Sequence, residues 1–219
     1  MPNVIITGAN RGLGLEFAKQ YAADGWSVIA TARKSSPELD RLGVRVEPLD
    51  MSDLDAVTAC GERIDEPVDL LIANAGSMQP AEARSAEDGR RWAELLTVNS
   101  IAPYLLARSL LPAVAASRGK LVAISSQMGS IADSSGGYVP YRTSKAALNM
   151  AWNALAKEVR SQGIAAAVLN PGWVRTDMGG PNASISPEES ISSMRKVIDS
   201  LDLSRTGSFL DRDGSELPW

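Results

Sequence analysis

The chain has 219 residues, of which 44% are hydrophobic and 22% are charged, and its net charge is −4 at pH 7. These values exclude a disordered or collagen-like chain, and the negative charge argues against nucleic-acid binding through a basic surface. The absence of histidine and the single cysteine, Cys60, exclude Ser-His-Asp hydrolysis, an internal disulfide and a zinc site, so no metal is expected.

Short apolar runs alternate with longer helical patterns along the whole chain. Most of the runs are nearly continuous, as expected for strands buried on both faces of a parallel sheet. The predicted strands cover residues 3–7, 26–32, 44–49, 68–74, 120–125, 164–170 and 208–210. The pattern predicts an α/β fold of the Rossmann type: a single-domain, doubly wound, mostly parallel seven-stranded sheet with helices on both faces.

Two helix signals lie in the first third of the chain. One predicted helix covers residues 12–24 and is closed by Gly25, a typical residue after a helix end. Another opens at Ser52, with Asp55 three residues later as in a capping box.

Two longer helices are predicted further along, over residues 99–117 and 141–162. Pro140 suits the first turn of the second helix, and Gly163 ends it. Residues 178–187 predict a short surface loop on the substrate side. No repeat or linker marks a boundary, so residues 1–219 are expected to form one domain.

A glycine-rich turn joins the first strand to the first helix, with Gly8, Gly12 and Gly14 in the run from Thr7 onwards. Glycines permit a tight turn and close approach of a ligand to the backbone. The helix that follows would present free N–H groups to a pyrophosphate. The turn predicts a dinucleotide site or, alternatively, a tight connection that binds nothing.

The end of the second strand bears on the choice of ligand. A site for NAD or S-adenosylmethionine usually places an acidic residue here to bind the ribose hydroxyls. This chain has Ala32-Arg33-Lys34 instead, which favours a phosphorylated ribose, and Arg11 on the glycine turn can reach the same phosphate. The alternative is that Arg33 and Lys34 are ordinary solvated charges.

Tyr141 and Lys145 lie one helical turn apart at the start of the second long helix, on the same face. A nearby ammonium should lower the pKa of the phenol, which would provide an acid–base group without histidine. The same spacing occurs in many helices as an exposed surface pair, so the motif alone does not identify a function.

Further motifs follow in a fixed order: Asn74-Ala75-Gly76 after the fourth strand, Ser125-Ser126 after the fifth, and the run PGWVRTDMGG after the sixth. Together with the glycine turn and the Tyr–Lys pair, they resemble the short-chain dehydrogenase/reductase family over nearly the whole chain. Residues 126–145, that run and the tail LDRDGSELPW resemble the C-factor and sniffer-type carbonyl reductase branch.

The resemblance implies four catalytic residues. Ser126, Tyr141 and Lys145 match the family's serine, tyrosine and lysine, and Asn99 matches the asparagine of its proton relay. Ser125 is the weaker choice of serine because alternation along the strand points its side chain elsewhere. The alternative for Asn99 is a helix-capping residue.

The resemblance also implies a nicotinamide cofactor, expected to be NADP(H), across the carboxyl ends of the strands. Asp50 would bind the adenine amino group, with an ordinary turn aspartate as the alternative. The matching cofactor positions are Gly8, Asn10, Arg11, Gly12, Leu13, Gly14, Arg33, Asp50, Met51, Asn74, Ala75, Gly76, Tyr141, Lys145, Pro171, Gly172, Val174 and Thr176.

The expected substrate cleft is open and apolar, which suits a hydrophobic aldehyde or ketone. Its predicted lining residues are Met78, Gln127, Tyr138, Trp173 and Met178. The alternative is that some of these residues only pack the core.

The implied function is an NADP-dependent oxidoreductase that transfers a hydride between the nicotinamide and a carbonyl or alcohol, with Tyr141 as acid or base. One alternative is a signalling or regulatory protein that binds the cofactor with little turnover. Another is a sugar-nucleotide epimerase or dehydratase, which needs a larger C-terminal substrate region.

No segment suggests export or membrane insertion, so we expect a cytoplasmic protein without nucleic-acid or membrane partners. Family members often pair through two long helices. The resemblance therefore implies a homodimer or homotetramer.

Overall fold

Seven strands form one sheet in the computed structural model, which describes all residues from Met1 to Trp219. The strands run parallel throughout, in the order β3-β2-β1-β4-β5-β6-β7. They are β1 (Asn3–Thr7), β2 (Ser27–Ala32), β3 (Arg45–Pro48), β4 (Leu70–Ala73), β5 (Lys120–Ile124), β6 (Ala165–Asn170) and β7 (Phe209–Asp211). The predicted α/β fold is confirmed, with strand ends shifted by one or two residues.

Helices connect the strands. They are α1 (Gly12–Ala23), α2 (Pro37–Asp40), α3 (Leu54–Glu62), α4 (Ala86–Leu96), α5 (Ala102–Ser109), α6 (Leu111–Ser117), α7 (Val139–Val159) and α8 (Pro187–Ser200). None of them is long and apolar enough to cross a membrane.

Both faces of the sheet are buried because successive side chains of a strand point to opposite sides. Ile5 belongs to the core on one face, together with Trp152 of α7. Ile6 belongs to the core on the other face, together with Phe17 of α1 and Met194 of α8. The continuous apolar strands of the sequence are thus explained by helices on both sides.

The predicted cap of α3, Ser52, was wrong by one residue. Asp53 is the residue that caps this helix, because its carboxylate accepts from the backbone N–H of Ala56 at 3.0 Å. Ser52 lies in the preceding turn, where its N–H and hydroxyl donate to the Asp50 carboxylate at 2.9 and 2.8 Å.

The helix predicted over residues 99–117 also differs from the structure. It begins earlier, at α4, where Ser85 and Asp88 form a capping box that we did not identify in the sequence. A π-helical turn, Thr97–Ile101, then joins α4 to α5, and Asn99 lies inside this turn. Asn99 therefore does not cap a helix.

Gly119 connects α6 to β5 where two backbone segments approach closely. A Cβ added here would overlap the Val68 carbonyl oxygen and lie 2.8 Å from that of Asp69. Neither oxygen moves freely, because the first accepts from the Ser117 hydroxyl at 2.5 Å and the second from the Lys120 N–H at 2.9 Å.

Gly119→Ala should therefore lower the free energy of unfolding by more than about 2 kcal/mol through overpacking. Gly25→Ala is the matched control, since Gly25 has a φ of +77° but open space around it. It should lose only about 1 kcal/mol from backbone strain. Urea denaturation measures both losses, and equal losses would contradict close packing at position 119.

Candidate active site

β1 and β4 are neighbours at the point where the strand order of the sheet reverses direction. In such sheets a ligand usually binds at the carboxyl ends of these two strands. The buried Thr7 hydroxyl accepts from the backbone N–H groups of Asn74 and Ala75 at 3.0 and 2.9 Å. The Asn74 amide in turn donates to the Thr7 carbonyl at 2.9 Å. These bonds hold the segment after β4 against the start of the glycine turn.

The glycine turn is shaped so that side chains would fill it. Gly8 has a φ of +67°, and an added Cβ would lie 3.0 Å from the Ala75 Cα. A Cβ on Gly14 would overlap the Gly8 carbonyl oxygen. Only glycine therefore permits the approach of these backbone segments at both positions.

The N-terminus of α1 fits an anionic group. Its N-cap residue, Arg11, makes no side-chain cap, and the first turn contains no acidic residue. The first N–H groups of the helix thus have no side-chain acceptor, and the helix dipole favours negative charge there. This donor set suits a pyrophosphate.

Arg33 and Asp50 follow the neighbouring strands β2 and β3. Hydrogen bonds from the N–H and hydroxyl of Ser52 hold the pKa of Asp50 below its usual value, and the Arg33 charge adds to this effect. Asp50 thus has the contacts of a turn aspartate. Arg33 is exposed, so its side chain is accessible to a ligand at the end of β2.

Tyr141 and Lys145 of α7 are both buried, at 6% and 4% exposure. The Lys145 Nζ lies 5.9 Å from the Tyr141 ring centroid and donates to the Ile124 carbonyl at the end of β5, at 2.8 Å. The exposed surface pair considered as an alternative is excluded by this burial.

The predicted pKa change of Tyr141 had the wrong sign. Burial raises the pKa of Tyr141 to about 12, although the neighbouring Ser126 hydroxyl acts in the opposite direction. Burial also lowers the pKa of Lys145 to about 8. Both pKa changes are in the direction that stabilises the neutral form, because the site removes the two groups from water.

The two adjacent serines point in different directions. Ser125 is buried, and its hydroxyl donates to the Asn149 side-chain oxygen at 2.6 Å. Ser126 is half-buried and lies beside Tyr141. The Ser126 oxygen accepts from the Met128 N–H at 3.2 Å, whereas the Ser125 hydroxyl is engaged as a donor within the protein.

Asn99 is fully buried and organises the segment between β4 and α7. Its amide donates to the Ser77 carbonyl at 2.8 Å and to the Ser144 hydroxyl at 2.9 Å, and its oxygen accepts from the Ser77 N–H at 2.8 Å. The Ser144 hydroxyl donates to the Tyr141 carbonyl at 2.8 Å. Ser77 and Ser144 are site residues that our sequence analysis missed.

Gly76 lies between two of the predicted catalytic residues. A Cβ added to Gly76 would lie 3.2 Å from the Asn99 side-chain oxygen and 3.6 Å from the Lys145 Nζ. The structure therefore brings Asn99 and Lys145 to the same side of the segment that follows β4.

The loop after β6 faces the glycine turn. Backbone bonds tie it to a later segment, since Arg175 N–H donates to the Ile185 carbonyl at 2.9 Å and Ile185 N–H to the Trp173 carbonyl at 3.2 Å. Thr176 lies opposite Gly12, with its methyl group 3.6 Å from the position of an added Cβ. The predicted surface loop, residues 178–187, is thus held near its end by the backbone hydrogen bonds of Ile185.

Arg11 has a partner that our sequence analysis did not find. Its Nη1 lies 2.7 Å from the Asp177 carboxylate, across the gap between the glycine turn and the loop after β6. The expectation that Arg11 reaches a phosphate stays a prediction, and the structure adds that its side chain already has this carboxylate partner. No local pattern could reveal the pair, because the two residues are 166 positions apart.

The five predicted substrate residues differ in exposure and contacts, and their shared role stays a prediction. Trp173 and Met178 are exposed, and the Trp173 indole donates to the Gly179 carbonyl at 2.8 Å. Tyr138 lines a cleft of about 360 Å³ together with Trp92 of α4, and the other four residues do not line this cleft. Met78 is half-buried, and the side chain of exposed Gln127 donates to Asp133 at 2.6 Å.

The segment after Ser126 is held by Trp219. The Trp219 carbonyl oxygen accepts from the Ser130 hydroxyl at 3.3 Å and from the N–H groups of Ile131 and Ala132 at 3.1 and 3.0 Å. The Trp219 ring packs on Phe209 of β7, with centroids 5.5 Å apart. Three donors thus converge on one carbonyl beside the site.

Comparisons with known proteins agree with this geometry. A family model described as short chain dehydrogenase matches residues 2–185. C-signal from Myxococcus xanthus is 40% identical over 155 residues, which cover 70% of this chain and 93% of that protein.

Two solved structures are similar over the whole chain. The carbonyl reductase Sniffer of D. melanogaster has a TM-score of 0.91 at 30% identity, with both chains fully covered. An NADPH-bound carbonyl reductase from chicken fatty liver has a TM-score of 0.87 at 33% identity, covering 100% of this chain and 99% of that one.

Lys145→Met should change how stability depends on pH. The pKa of Lys145 falls from 10.5 in the unfolded reference to about 8 in the fold, so the unfolded chain binds more protons between these values. The Lys145 contribution therefore makes the wild type more stable as pH rises from about 8 to about 10.

The Met variant lacks this contribution. The difference between wild-type and variant free energies of unfolding should shift by about 2 kcal/mol in favour of the wild type across that interval. Other titrating groups are the same in both proteins and cancel. Urea denaturation at a series of pH values measures the shift, and a constant difference would mean that Lys145 is not desolvated.

Proposed function

This chain belongs to the short-chain dehydrogenase family, in the branch of C-factor and sniffer-type proteins, and from this premise we propose that it is an NADPH-dependent carbonyl reductase. The observation that carries the proposal is the buried Tyr141–Lys145 pair beside Ser126. These three residues lie at the same edge of the sheet as the glycine turn. The reverse reaction, oxidation of an alcohol, uses the same groups.

The glycine turn, the N-terminus of α1 and Arg33 would hold the cofactor. The fit rests on the uncapped helix N-terminus and on the space that glycine leaves at positions 8 and 14. When bound, a reduced nicotinamide supplies the hydride that reduces the carbonyl carbon. The binding of NADPH by the similar chicken enzyme supports the choice of the phosphorylated cofactor.

Tyr141 is the proton donor in this proposal. With a pKa of about 12, its phenol is protonated at neutral pH and can donate to the alkoxide that forms on the substrate. The Ser126 hydroxyl, whose oxygen accepts from the Met128 N–H at 3.2 Å, would donate to the same substrate oxygen and stabilise its growing charge. In this proposal the hydroxyl groups of Tyr141 and Ser126 polarise the carbonyl.

Lys145 and Asn99 support Tyr141. Lys145 would bind the nicotinamide ribose and return a proton towards the phenol. The position of its Nζ, between the end of β5 and Gly76, supports this role. Asn99 holds the backbone of Ser77 and, through Ser144, the first turn of α7. Replacing Asn99 would therefore remove the hydrogen bonds that hold both the segment after β4 and the start of α7.

The exposed apolar rim supports a hydrophobic aldehyde or ketone as substrate. This rim consists of Trp173 and Met178, which lie in the loop that faces the glycine turn and present apolar surface to solvent. A cofactor-binding signalling protein with little turnover is the second candidate, because of the identity to C-signal. A homodimer or homotetramer stays a prediction.

Tyr141→Phe should lower kcat for carbonyl reduction by about 10²-fold or more, because the variant lacks the proton donor. It should still bind NADPH, since the change removes one hydroxyl group. NADPH oxidation over a panel of aldehydes, ketones and quinones measures the rate. No turnover by the wild type with any of them would favour the signalling protein.

The two serines provide a matched pair for the same assay. Ser126→Ala should lose activity on the scale of Tyr141→Phe, and Ser125→Ala much less. The reverse order would show that the wrong serine was chosen. Thermal unfolding of both variants separates a loss of activity from a loss of the fold.

Arg33→Ala should weaken NADPH binding by about 10-fold or more, because a hydrogen bond to a charged group contributes roughly 1.5–3 kcal/mol. NADH binding should change little, since NADH lacks the 2′-phosphate. Lys34→Ala, a neighbouring exposed cation, is the control and should leave both affinities near wild type. Calorimetric titration measures them, and equal losses for the two cofactors in Arg33→Ala would refute a phosphate-reading role.

A further inference from the structure

The ion pair between Arg11 and Asp177 lies where the proposed cofactor would bind. Arg11 precedes the first residue of α1, and Asp177 follows Thr176 in the loop after β6. The Nη1 atom of Arg11 is 2.7 Å from the Asp177 carboxylate, and Asp177 is the only ion-pair or hydrogen-bond partner of the Arg11 side chain in the protein. A single bond thus joins the two segments that flank the pyrophosphate position.

Hydrogen bonds hold Arg11 and the residue before Asp177, whereas the two paired side chains are exposed. The Arg11 carbonyl accepts from Leu15 N–H at 3.2 Å. The Thr176 hydroxyl accepts from Gly179 N–H at 3.2 Å, and the Thr176 carbonyl accepts from Gly180 N–H at 2.8 Å. The side chains are 67% and 78% exposed. Either side chain can therefore change partner without moving its loop.

The charges favour an exchange when a phosphate arrives. An exposed ion pair with one hydrogen bond contributes little, because solvent screens it and both side chains lose freedom. A guanidinium binds a phosphate through two parallel bonds, and a 2′-phosphate carries up to two negative charges. Arg11 would hence leave Asp177 for the phosphate, and the released carboxylate would lose its partner.

We propose that Asp177 competes with the 2′-phosphate of NADP(H) for Arg11 and so limits the preference of this protein for NADP(H) over NAD(H). Asp177 is then a specificity-determining residue, although it does not itself bind the phosphate. The inference rests on the proposed function, since it requires NADP(H) to bind at the glycine turn. NAD(H) has no phosphate at this position, so its affinity is insensitive to the exchange.

Asp177→Asn tests the competition, because it removes the charge and keeps the shape of the side chain. We expect the Kd for NADPH to fall about two- to fivefold, the range that an exposed ion pair supplies, and the Kd for NADH to stay near wild type. Quenching of tryptophan fluorescence or calorimetric titration measures both constants without turnover.

Two further variants show whether Asp177 acts through Arg11. In an Arg11→Met background, Asp177→Asn should leave the Kd for NADPH unchanged, since there is no cation to release. Glu158→Gln breaks an exposed pair with Arg108, also at 2.7 Å but between α5 and α7, and should affect neither cofactor.

Each other result overturns the inference in a recognisable way. A weaker affinity of Asp177→Asn for both cofactors would show that the ion pair stabilises the cofactor-binding cleft and that Asp177 does not compete with the phosphate. A gain in NADPH affinity that persists in the Arg11→Met background would show that the negative charge of Asp177 repels the phosphate directly, without Arg11. If wild-type protein binds neither NADPH nor NADH, the proposed function fails first, independently of Asp177.

Discussion

The hydroxyl group of Thr7 is the contact on which the site depends. It accepts from two consecutive N–H groups, of Asn74 and Ala75, where the strand order reverses. The segment after β4 is thereby fixed against the glycine turn, and it continues through Gly76 into the residues that hold Asn99. A polar group with no exposure is retained here because it satisfies backbone donors that the ends of two parallel strands leave unpaired.

The sheet was predictable from the sequence because burial on both faces requires apolar residues at every strand position. Helix starts were less predictable, since several polar residues compete to cap the same turn. Ser52 was chosen for α3, but the Asp50 carboxylate engages its hydroxyl and leaves Asp53 as the cap. The capping box of Ser85 and Asp88 was present in the sequence and was overlooked.

The site shows a different limit of sequence reasoning. Spacing predicted that Tyr141 and Lys145 share a helix face, but the pKa of each depends on how deeply the whole fold buries them. Desolvation is the largest cause of both pKa changes, and only tertiary structure reveals it. The partner of Arg11 is likewise not visible in the sequence, because it lies on a loop that only the folded chain brings close. Residue types and their order indicate the chemistry, whereas charges and partners are set by packing.

The convergence of three donors on the Trp219 carbonyl has a consequence for the order in which the protein is completed. Synthesis proceeds from the N-terminus, so β1 to β4 and the glycine turn leave the ribosome long before Trp219. The segment from Ser130 to Ala132 cannot acquire its acceptor until Trp219 has emerged. The part of the nascent chain from β1 to β4 thus emerges early, while the loop beside Ser126 lacks this contact until synthesis reaches Trp219.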